Sequence, residues 1–248
     1  MNSKLISYNL EFKQFGKEAI LIEWPQEISE TILLDIRYFV SEIKKNKLQY
    51  ISDINFVYNS ILVMYDSQQI NFKTLKSILH NLYLKKKSTN NVSKFVWQIP
   101  VCYDEIYGLD LHFLAFEKQC TIEEIIKVHC STNYLVYGIG FLPGFLYLGG
   151  LARELYQPRR VEPRLKVPKG SVGIGGTQTG IYPKNSPGGW QIIGKTPISV
   201  FNIKNERPIE IEPGDKIHFF SISMNEFEII ENKCKAGIYE IRKEILDG

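Results

Sequence analysis

Hydrophobic and polar positions recur with two different periods along the first third of the chain. Short apolar, β-branched runs predict four strands, at residues 8–12, 19–24, 54–57 and 61–65. Apolar residues at helical spacing predict two amphipathic helices, one that begins near residue 28 and one over 72–82. We therefore predict a small α+β domain over residues 1–90, with the order ββαββα and its helices on one face of an antiparallel sheet.

The pattern changes after a polar stretch at residues 85–93, which has the composition of a linker. Thirteen of the 18 glycines and seven of the 11 prolines fall between residues 138 and 197, which indicates tight turns between short strands. A capping-box pattern, Thr121 with Glu124, predicts the start of a helix just before this region. We predict a mainly-β barrel or sandwich over residues 94–235 and a C-terminal tail at 236–248.

Composition and charge then exclude several classes of protein. Apolar residues make up 44% and charged residues 23% of the chain, as in folded soluble proteins. Basic residues are scattered and exceed acidic ones by only 30 to 27, so we expect neither a nucleic-acid partner nor a membrane surface. The four cysteines lack metal-site spacing, and no metal site is predicted. An N-terminus without the apolar core of a signal peptide favours a cytoplasmic location.

One stretch matches a nucleotide-binding motif by its letters. Residues 186–197, SPGGWQIIGKTP, satisfy the phosphate-loop pattern G-x-x-x-x-G-K-[ST]. Such a loop follows a buried strand and opens a helix, whereas prolines interrupt this segment on both sides and its centre is bulky and strand-like. We therefore predict a turn, a strand and a turn here, with no phosphate bound at Lys195.

The same region resembles a known family. GFLPGFLYLGGL at 140–151, QPRRVEPRLKVPKGSVGIGGTQTGIYP at 157–183 and SPGGWQIIGKTP at 186–197 are similar to motifs of the 5-oxoprolinase B-subunit family. That family includes the KipI-type inhibitor of a sporulation histidine kinase and allophanate hydrolase subunit 1. The resemblance implies a cyclophilin-like β-barrel after a small N-terminal α+β domain, without implying prolyl isomerase activity.

The function that the resemblance implies is a non-autonomous subunit of an ATP-dependent 5-oxoprolinase. This enzyme opens 5-oxo-L-proline to L-glutamate, and its other subunits, of the A and C types, would be the partners. ATP would be used by the complex, and the sequence leaves open whether this chain binds it. A regulatory module that inhibits a histidine kinase, or a subunit of a urea- or allophanate-processing enzyme, stays open because all three uses share the same barrel motifs.

Candidate site residues fall mostly in the Gly- and Pro-rich region. Cations on a segment that prolines interrupt suit the capture of a carboxylate or phosphate, and polar and aromatic groups follow them along the chain. The predicted binding residues are Arg159, Arg164, Lys169, Gln178, Thr179, Tyr182 and Trp190. The structural alternatives are a solvated loop for the cations, barrel turns for the polar residues and a place in the core for the aromatic residues. His129 is a candidate general acid or base, or else a helix-terminal histidine. Asp110 is interpreted as a helix cap and Asp215 as a turn residue.

Overall fold

The computed structural model describes residues 7–85, 94–203 and 208–246, so most of the predicted linker lies outside the described residues. The chain divides into two compact units, residues 1–92 and 93–248. The elements of the first unit are β1 Glu11–Phe15, β2 Ala19–Glu23, α1 Glu30–Lys45, β3 Ile51–Val57, β4 Ser60–Tyr65 and α2 Phe72–Leu84. Its strands form an antiparallel sheet in the order β1-β2-β4-β3.

The first unit has its own apolar core, in which both helices and the sheet take part. A buried carboxylate lies within it. Asp35 Oδ2 accepts hydrogen bonds from Trp24 Nε1 at 2.8 Å and from the Tyr83 hydroxyl at 2.6 Å. Burying a carboxylate is costly unless donors satisfy it, and here the two donors come from the residue after β2 and from α2. The hydrogen bonds of Asp35 therefore link α1 to the residue that follows β2 and to α2.

The second unit contains the remaining elements. They are β5 Lys94–Cys102, α3 Leu111–Lys118, α4 Ile122–Cys130, β6 Asn133–Ile139, β7 Leu146–Gly149, a 3₁₀ turn Arg153–Leu155, β8 Arg164–Val167, β9 Ser171–Gly175, β10 Gln178–Ile181, β11 Ser186–Gly188, β12 Gln191–Lys195, β13 Lys216–Ile222, α5 Met224–Lys235 and β14 Lys243–Leu246. The predicted capping box of Thr121 and Glu124 is confirmed at the start of α4.

Seven of these strands close into a barrel, which confirms the predicted barrel. The order is β6-β13-β5-β12-β9-β10-β7, and β6 pairs with β7 to complete the ring. Neighbours are antiparallel except β13 and β5, which run parallel over seven paired positions. Closure gives each of these strands a neighbour on both sides, although β12 and β5 share only one paired position, Lys195 with Cys102. Residues 236–248, which are predicted from the sequence to be a C-terminal tail, include the strand β14, and this strand pairs with β5.

Apolar side chains of β5, β6, β9 and β13 fill the barrel, and α3 and α4 add to the same core. A second, smaller core lies against β12. It consists of Phe145, Val167, Tyr182, Trp190 and Ile192. Because Ile193 belongs to the barrel core and Ile192 to the smaller one, β12 is covered on both faces. This double coverage explains why residues 190–194 are buried throughout.

Asp215 anchors the start of β13, and this role goes beyond the turn position predicted for it. The side chain is buried and accepts three hydrogen bonds, from Trp97 Nε1 at 2.9 Å, the Phe95 amide at 3.1 Å and the Glu212 amide at 3.0 Å. Two of the three donors lie on β5. The carboxylate thus fastens the parallel β5–β13 pair, which has no hairpin to hold it.

Replacing Asp215 by Ala is expected to lower the free energy of unfolding by about 3 kcal/mol or more, because three buried donors lose their acceptor. Urea denaturation followed by tryptophan fluorescence measures this change. Glu154→Ala, at an exposed position of the 3₁₀ turn, is the matched control and should change the free energy by less than about 0.5 kcal/mol. A loss for Asp215→Ala as small as the control's would contradict this role.

Candidate functional site

A small aromatic cavity lies on the outside of the barrel, over the smaller core. Its volume is about 100 Å³. Three predicted binding residues, Arg159, Tyr182 and Trp190, meet in its lining, together with Phe141, Phe145, Tyr147, Gly188 and Gly189. The fold thus brings these three side chains to one site, although they are up to 31 positions apart along the chain.

Phe145 is the centre of the cavity wall. Its ring makes edge-to-face contacts with Trp190 at 5.4 Å and with Tyr182 at 5.5 Å between ring centroids. Tyr147 and Phe141 complete the cluster at 5.1 and 5.8 Å. Edge-to-face pairs are favourable beyond the area that they bury, and they leave little freedom to each ring. The wall is therefore formed by packing before any ligand arrives.

Glycines of the β9–β10 hairpin make room for the Trp190 indole. A Cβ atom at Gly175 would lie 2.5 Å from the ring, and one at Gly180 would lie 3.1 Å from it. On the opposite side of the cavity, a Cβ atom at Gly188 would lie 2.4 Å from the Tyr182 hydroxyl. Any side chain at these three positions would displace an aromatic wall. The glycines of this region therefore leave space for the aromatic rings, in addition to allowing tight turns.

Arg159 supplies the positive charge of the cavity. Its guanidinium carbon lies 5.8 Å from the centroid of the Trp190 ring, and the residue is exposed to solvent. Burial raises the pKa of Tyr182 and of Tyr147, and the charge of Arg159 partly opposes both shifts. Within residues 7–85, 94–203 and 208–246, no carboxylate forms an ion pair with Arg159. This cation is therefore available to an anionic ligand.

Asp110 holds residues 158–166 in place, a role that no local pattern in the sequence indicates. We call this segment, a loop that runs into β8, the arginine loop. The Asp110 carboxylate is buried and accepts from Arg164 Nη2 at 2.7 Å and from Arg160 Nη1 at 3.1 Å. Asp110 occupies the N-cap position of α3, as the sequence indicates, but its side chain makes no capping hydrogen bond to the helix. Arg164, a predicted binding residue, lies in this ion pair beside the cavity.

Asp110 also bonds to the edge of β12. The Ile192 amide donates to Asp110 Oδ2 at 2.6 Å, and the Asp110 amide donates to the Ile192 carbonyl at 2.8 Å. β12 pairs with β5 only between Lys195 and Cys102, so the backbone at Ile192 is open to this contact. Asp110 thus takes the place of a neighbouring strand and joins β12 to the arginine loop.

Four buried polar atoms of residues 160–191 have no hydrogen-bond partner among the described residues. They are Arg160 Nε, Arg164 Nη1, Ser186 Oγ and Gln191 Oε1. Each such group is costly unless ordered water or a ligand supplies the missing partner.

The other predicted residues lie elsewhere. Lys169 is exposed and its backbone amide donates to Asn185 Oδ1 at 2.7 Å, while Gln178 is half-buried at the start of β10. Neither lines the cavity. Thr179 and His129 are fully buried and contact each other, with 2.9 Å between Oγ1 and Nε2. The structure therefore separates the predicted set into a cavity group, the ion-paired Arg164 beside it, a core pair and two peripheral side chains.

His129 takes part in a directional hydrogen-bond chain inside the second unit. The Thr179 hydroxyl donates to the Gly173 carbonyl at 3.0 Å, so its oxygen accepts from His129 Nε2. Nδ1 then accepts from the Tyr103 hydroxyl at 2.7 Å, and the Cys130 thiol donates to Tyr103 at 3.4 Å. Burial raises the pKa of Tyr103 and Cys130 and lowers that of His129 to about 3. Every group in the chain is therefore neutral at physiological pH.

The phosphate-loop letters do not form a nucleotide site. Residues 191–195 are the strand β12, and no helix begins in the residues 196–203 that follow it. The Lys195 ammonium lies over the rings of Tyr107 and Phe227, at 4.9 and 5.4 Å from their centroids. A lysine held against two aromatic rings is not directed at a phosphate. These residues do not fit ATP.

Metal-binding and membrane-spanning features are both absent from residues 7–85, 94–203 and 208–246. No group of three or more His, Cys, Asp or Glu side chains in this part could hold a metal ion. None of its helices combines the length and the apolar character that a membrane span requires.

Comparison with known proteins identifies the family. A family model described as carboxyltransferase domain, subdomain C and D, matches residues 10–211. The 5-oxoprolinase B subunit of Bacillus subtilis (strain 168) is 32% identical over 232 residues, which cover 90% of this chain and 96% of the relative. The chain belongs to the 5-oxoprolinase B-subunit family. Another member, from Escherichia coli O157:H7, is 48% identical over 127 residues, 51% of this chain and 58% of that protein.

Solved structures contain the same fold within longer chains. TTHA0988 matches with a TM-score of 0.73 and 28% identity over 83% of this chain but only 40% of its own. The urea amidolyase of K. lactis matches with a TM-score of 0.83 over 99% of this chain and 17% of its own, and at 21% identity this likeness shows the fold alone. The present chain therefore spans less than half of either structure.

The buried His129 predicts a pH dependence of stability. The pKa of about 3 in the folded state lies below the ordinary value of 6.5, so the unfolded state binds the extra proton between these two values. Stability should therefore be full above about pH 6.5 and fall as the pH drops, by about 1.4 kcal/mol per pH unit from this residue. His129→Gln should remove that contribution from the slope of unfolding free energy against pH between about pH 4 and 6. Equal slopes for the two proteins would contradict a neutral, buried His129.

Proposed function

We propose that the chain is a non-autonomous subunit of an ATP-dependent 5-oxoprolinase, which opens 5-oxo-L-proline to L-glutamate together with A-type and C-type subunits. The observation that carries the proposal is the aromatic cavity with Arg159 at its side, in a chain of the 5-oxoprolinase B-subunit family. The relatives named urea amidolyase support the urea-processing alternative less strongly, at 23% identity for the yeast protein. No contact in the described residues favours kinase inhibition in particular.

The chemistry of 5-oxoproline suits the cavity. The molecule is a five-membered lactam with one carboxylate, so it presents an apolar ring face and a single anionic group. Trp190, Tyr182 and Phe145 offer aromatic surface to the ring, and the Arg159 guanidinium offers paired donors to the carboxylate. A cavity of about 100 Å³ suits a small molecule better than a nucleotide.

This chain would bind and orient the substrate while other groups complete the reaction. Ring opening adds water across the amide bond: the carbonyl carbon gains the oxygen and the nitrogen gains a proton. ATP transfers a phosphoryl group to the amide oxygen and leaves as ADP, and a second water then releases that phosphoryl group as phosphate. Among the described residues that line the cavity, none carries a carboxylate or imidazole that could take a proton from water at neutral pH. Arg159 and the aromatic rings would therefore hold the substrate for acid–base groups of another subunit.

The candidate residues outside the cavity have supporting roles in this proposal. Arg164 braces the arginine loop through Asp110, and the pair His129–Thr179 keeps β10 against α4 beneath the cavity wall. Lys169 and Gln178 lie outside the lining and stay predictions. The phosphate-loop letters belong to a strand, so the ATP that the complex uses does not bind at Lys195.

Reconstitution tests the proposed function. The isolated chain should release no glutamate from 5-oxoproline and ATP, whereas the mixture with the A-type and C-type subunits should release glutamate and ADP together. Omitting any one subunit should abolish glutamate release. Absence of turnover in the complete mixture would contradict the proposal.

Replacing Arg159 by Ala should raise the KM for 5-oxoproline by about 10- to 100-fold in that mixture, since a charge-assisted hydrogen bond contributes about 1.5–3 kcal/mol. Arg159→Lys should recover part of the loss, because it keeps the charge without the paired donors. Arg153→Ala, at an exposed arginine of the 3₁₀ turn, is the control and should leave KM unchanged. An unchanged KM for Arg159→Ala would mean that Arg159 does not bind the carboxylate of 5-oxoproline.

A further inference from the structure

Two aliphatic side chains of the arginine loop are almost wholly exposed to solvent. Val161 is 98% exposed and Leu165 is 91% exposed, the two highest values among the large hydrophobic residues of the described chain. Single exposed aliphatics are common on protein surfaces, whereas here two lie four positions apart on one segment, each directly after an arginine that binds Asp110. We call Val161 and Leu165 the ridge.

The ridge is held rigidly. Arg160 and Arg164, the residues directly before each ridge residue, turn inward to the Asp110 carboxylate. The Arg160 amide also donates to the Gly189 carbonyl at 2.7 Å, and Arg164 pairs with Gly188 between β8 and β11. Because the arginine before each ridge residue is anchored to Asp110, the backbone of the ridge is fixed with Val161 and Leu165 facing solvent. A surface held in this way loses little conformational freedom on binding.

The ridge borders the cavity. Gly188 and Gly189, which anchor the loop backbone, also line the cavity, and Arg159 belongs to both the loop and the lining. Phe141, on the cavity rim, is 68% exposed and has a φ of 59°, a conformation that is costly for a bulky residue. Exposed apolar side chains are thus present both on the ridge and at the rim of the cavity.

The charges around the ridge are mainly positive. Arg159, Lys166 and Lys169 are exposed on or beside the loop, against one exposed acid, Glu162. A surface that complements them would combine an apolar groove with carboxylates at its edge. A second copy of the ridge would instead bring like charges together.

We infer that the ridge is the docking surface for another subunit of the enzyme, whose facing surface is an apolar groove edged by carboxylates. The inference rests on the proposed function, in which the cavity needs acid–base groups from another subunit. A subunit seated on the ridge would cover the cavity and bring those groups to the substrate. In TTHA0988, the region like this chain is 40% of the whole, so there the fold is already joined to further protein.

The test compares two double variants of the full chain for binding to the purified A-type and C-type subunits, measured by sedimentation velocity and calorimetry. Val161→Glu with Leu165→Glu should weaken binding by at least about 100-fold, because buried hot-spot positions dominate interface affinity. Ile229→Glu with Ile238→Glu, at residues 47% and 70% exposed, is the matched control and should bind as the unchanged chain does. Both variants should keep the Tm of the unchanged chain, since none of the four side chains is buried.

Each outcome tests either the docking surface or the proposed function. Equal loss of binding in both variants, or binding of the ridge variant at full strength, would overturn the inference. The same holds if the unchanged chain binds neither of the other subunits, or if it forms a dimer that the ridge variant abolishes. Complex formation that the ridge variant abolishes, without glutamate release, would support the docking surface and contradict the proposed function.

Discussion

The ion pair between Asp110 and two arginines is the interaction on which the candidate site depends. One buried carboxylate accepts from Arg160, Arg164 and the Ile192 amide, and so joins the start of α3, the arginine loop and β12. Removing the carboxylate would leave two guanidinium groups without their partner, and breaking such a pair typically costs about 3–5 kcal/mol when it is buried. The cavity and the ridge both lie on elements that this contact connects.

Packing supplies the second constraint. The barrel is closed, so its outer face at β12 offers a stable floor for a further apolar layer. Phe145, Tyr182 and Trp190 form that layer, and glycines on the neighbouring strands admit the rings. A preformed cavity follows from strand closure, ring contacts and small residues together.

The features that could be predicted from the sequence are those that local composition encodes. Glycine and proline density indicated the barrel, which the closed seven-strand ring confirms, and the bulky centre of 186–197 indicated the strand that became β12. The parallel pairing of β5 with β13 could not be predicted, because about 115 residues separate the strands and no turn sets their register. Asp110 and His129 lie at helix ends, as the sequence indicates, but their roles depend on side-chain hydrogen bonds to partners that are 26 to 82 positions away. Such contacts exist only once the barrel has closed.

The most direct test of the account is amide hydrogen exchange on the unchanged chain and on Asp110→Asn. We predict that the Arg160 and Ile192 amides, with the rest of the arginine loop, lose protection by about 10- to 100-fold, because the charge-assisted bonds of the carboxylate are weakened. Amides of α1 and α2 in the first unit should keep their protection. Unchanged exchange of the arginine loop in Asp110→Asn would contradict the claim that this carboxylate holds the site together.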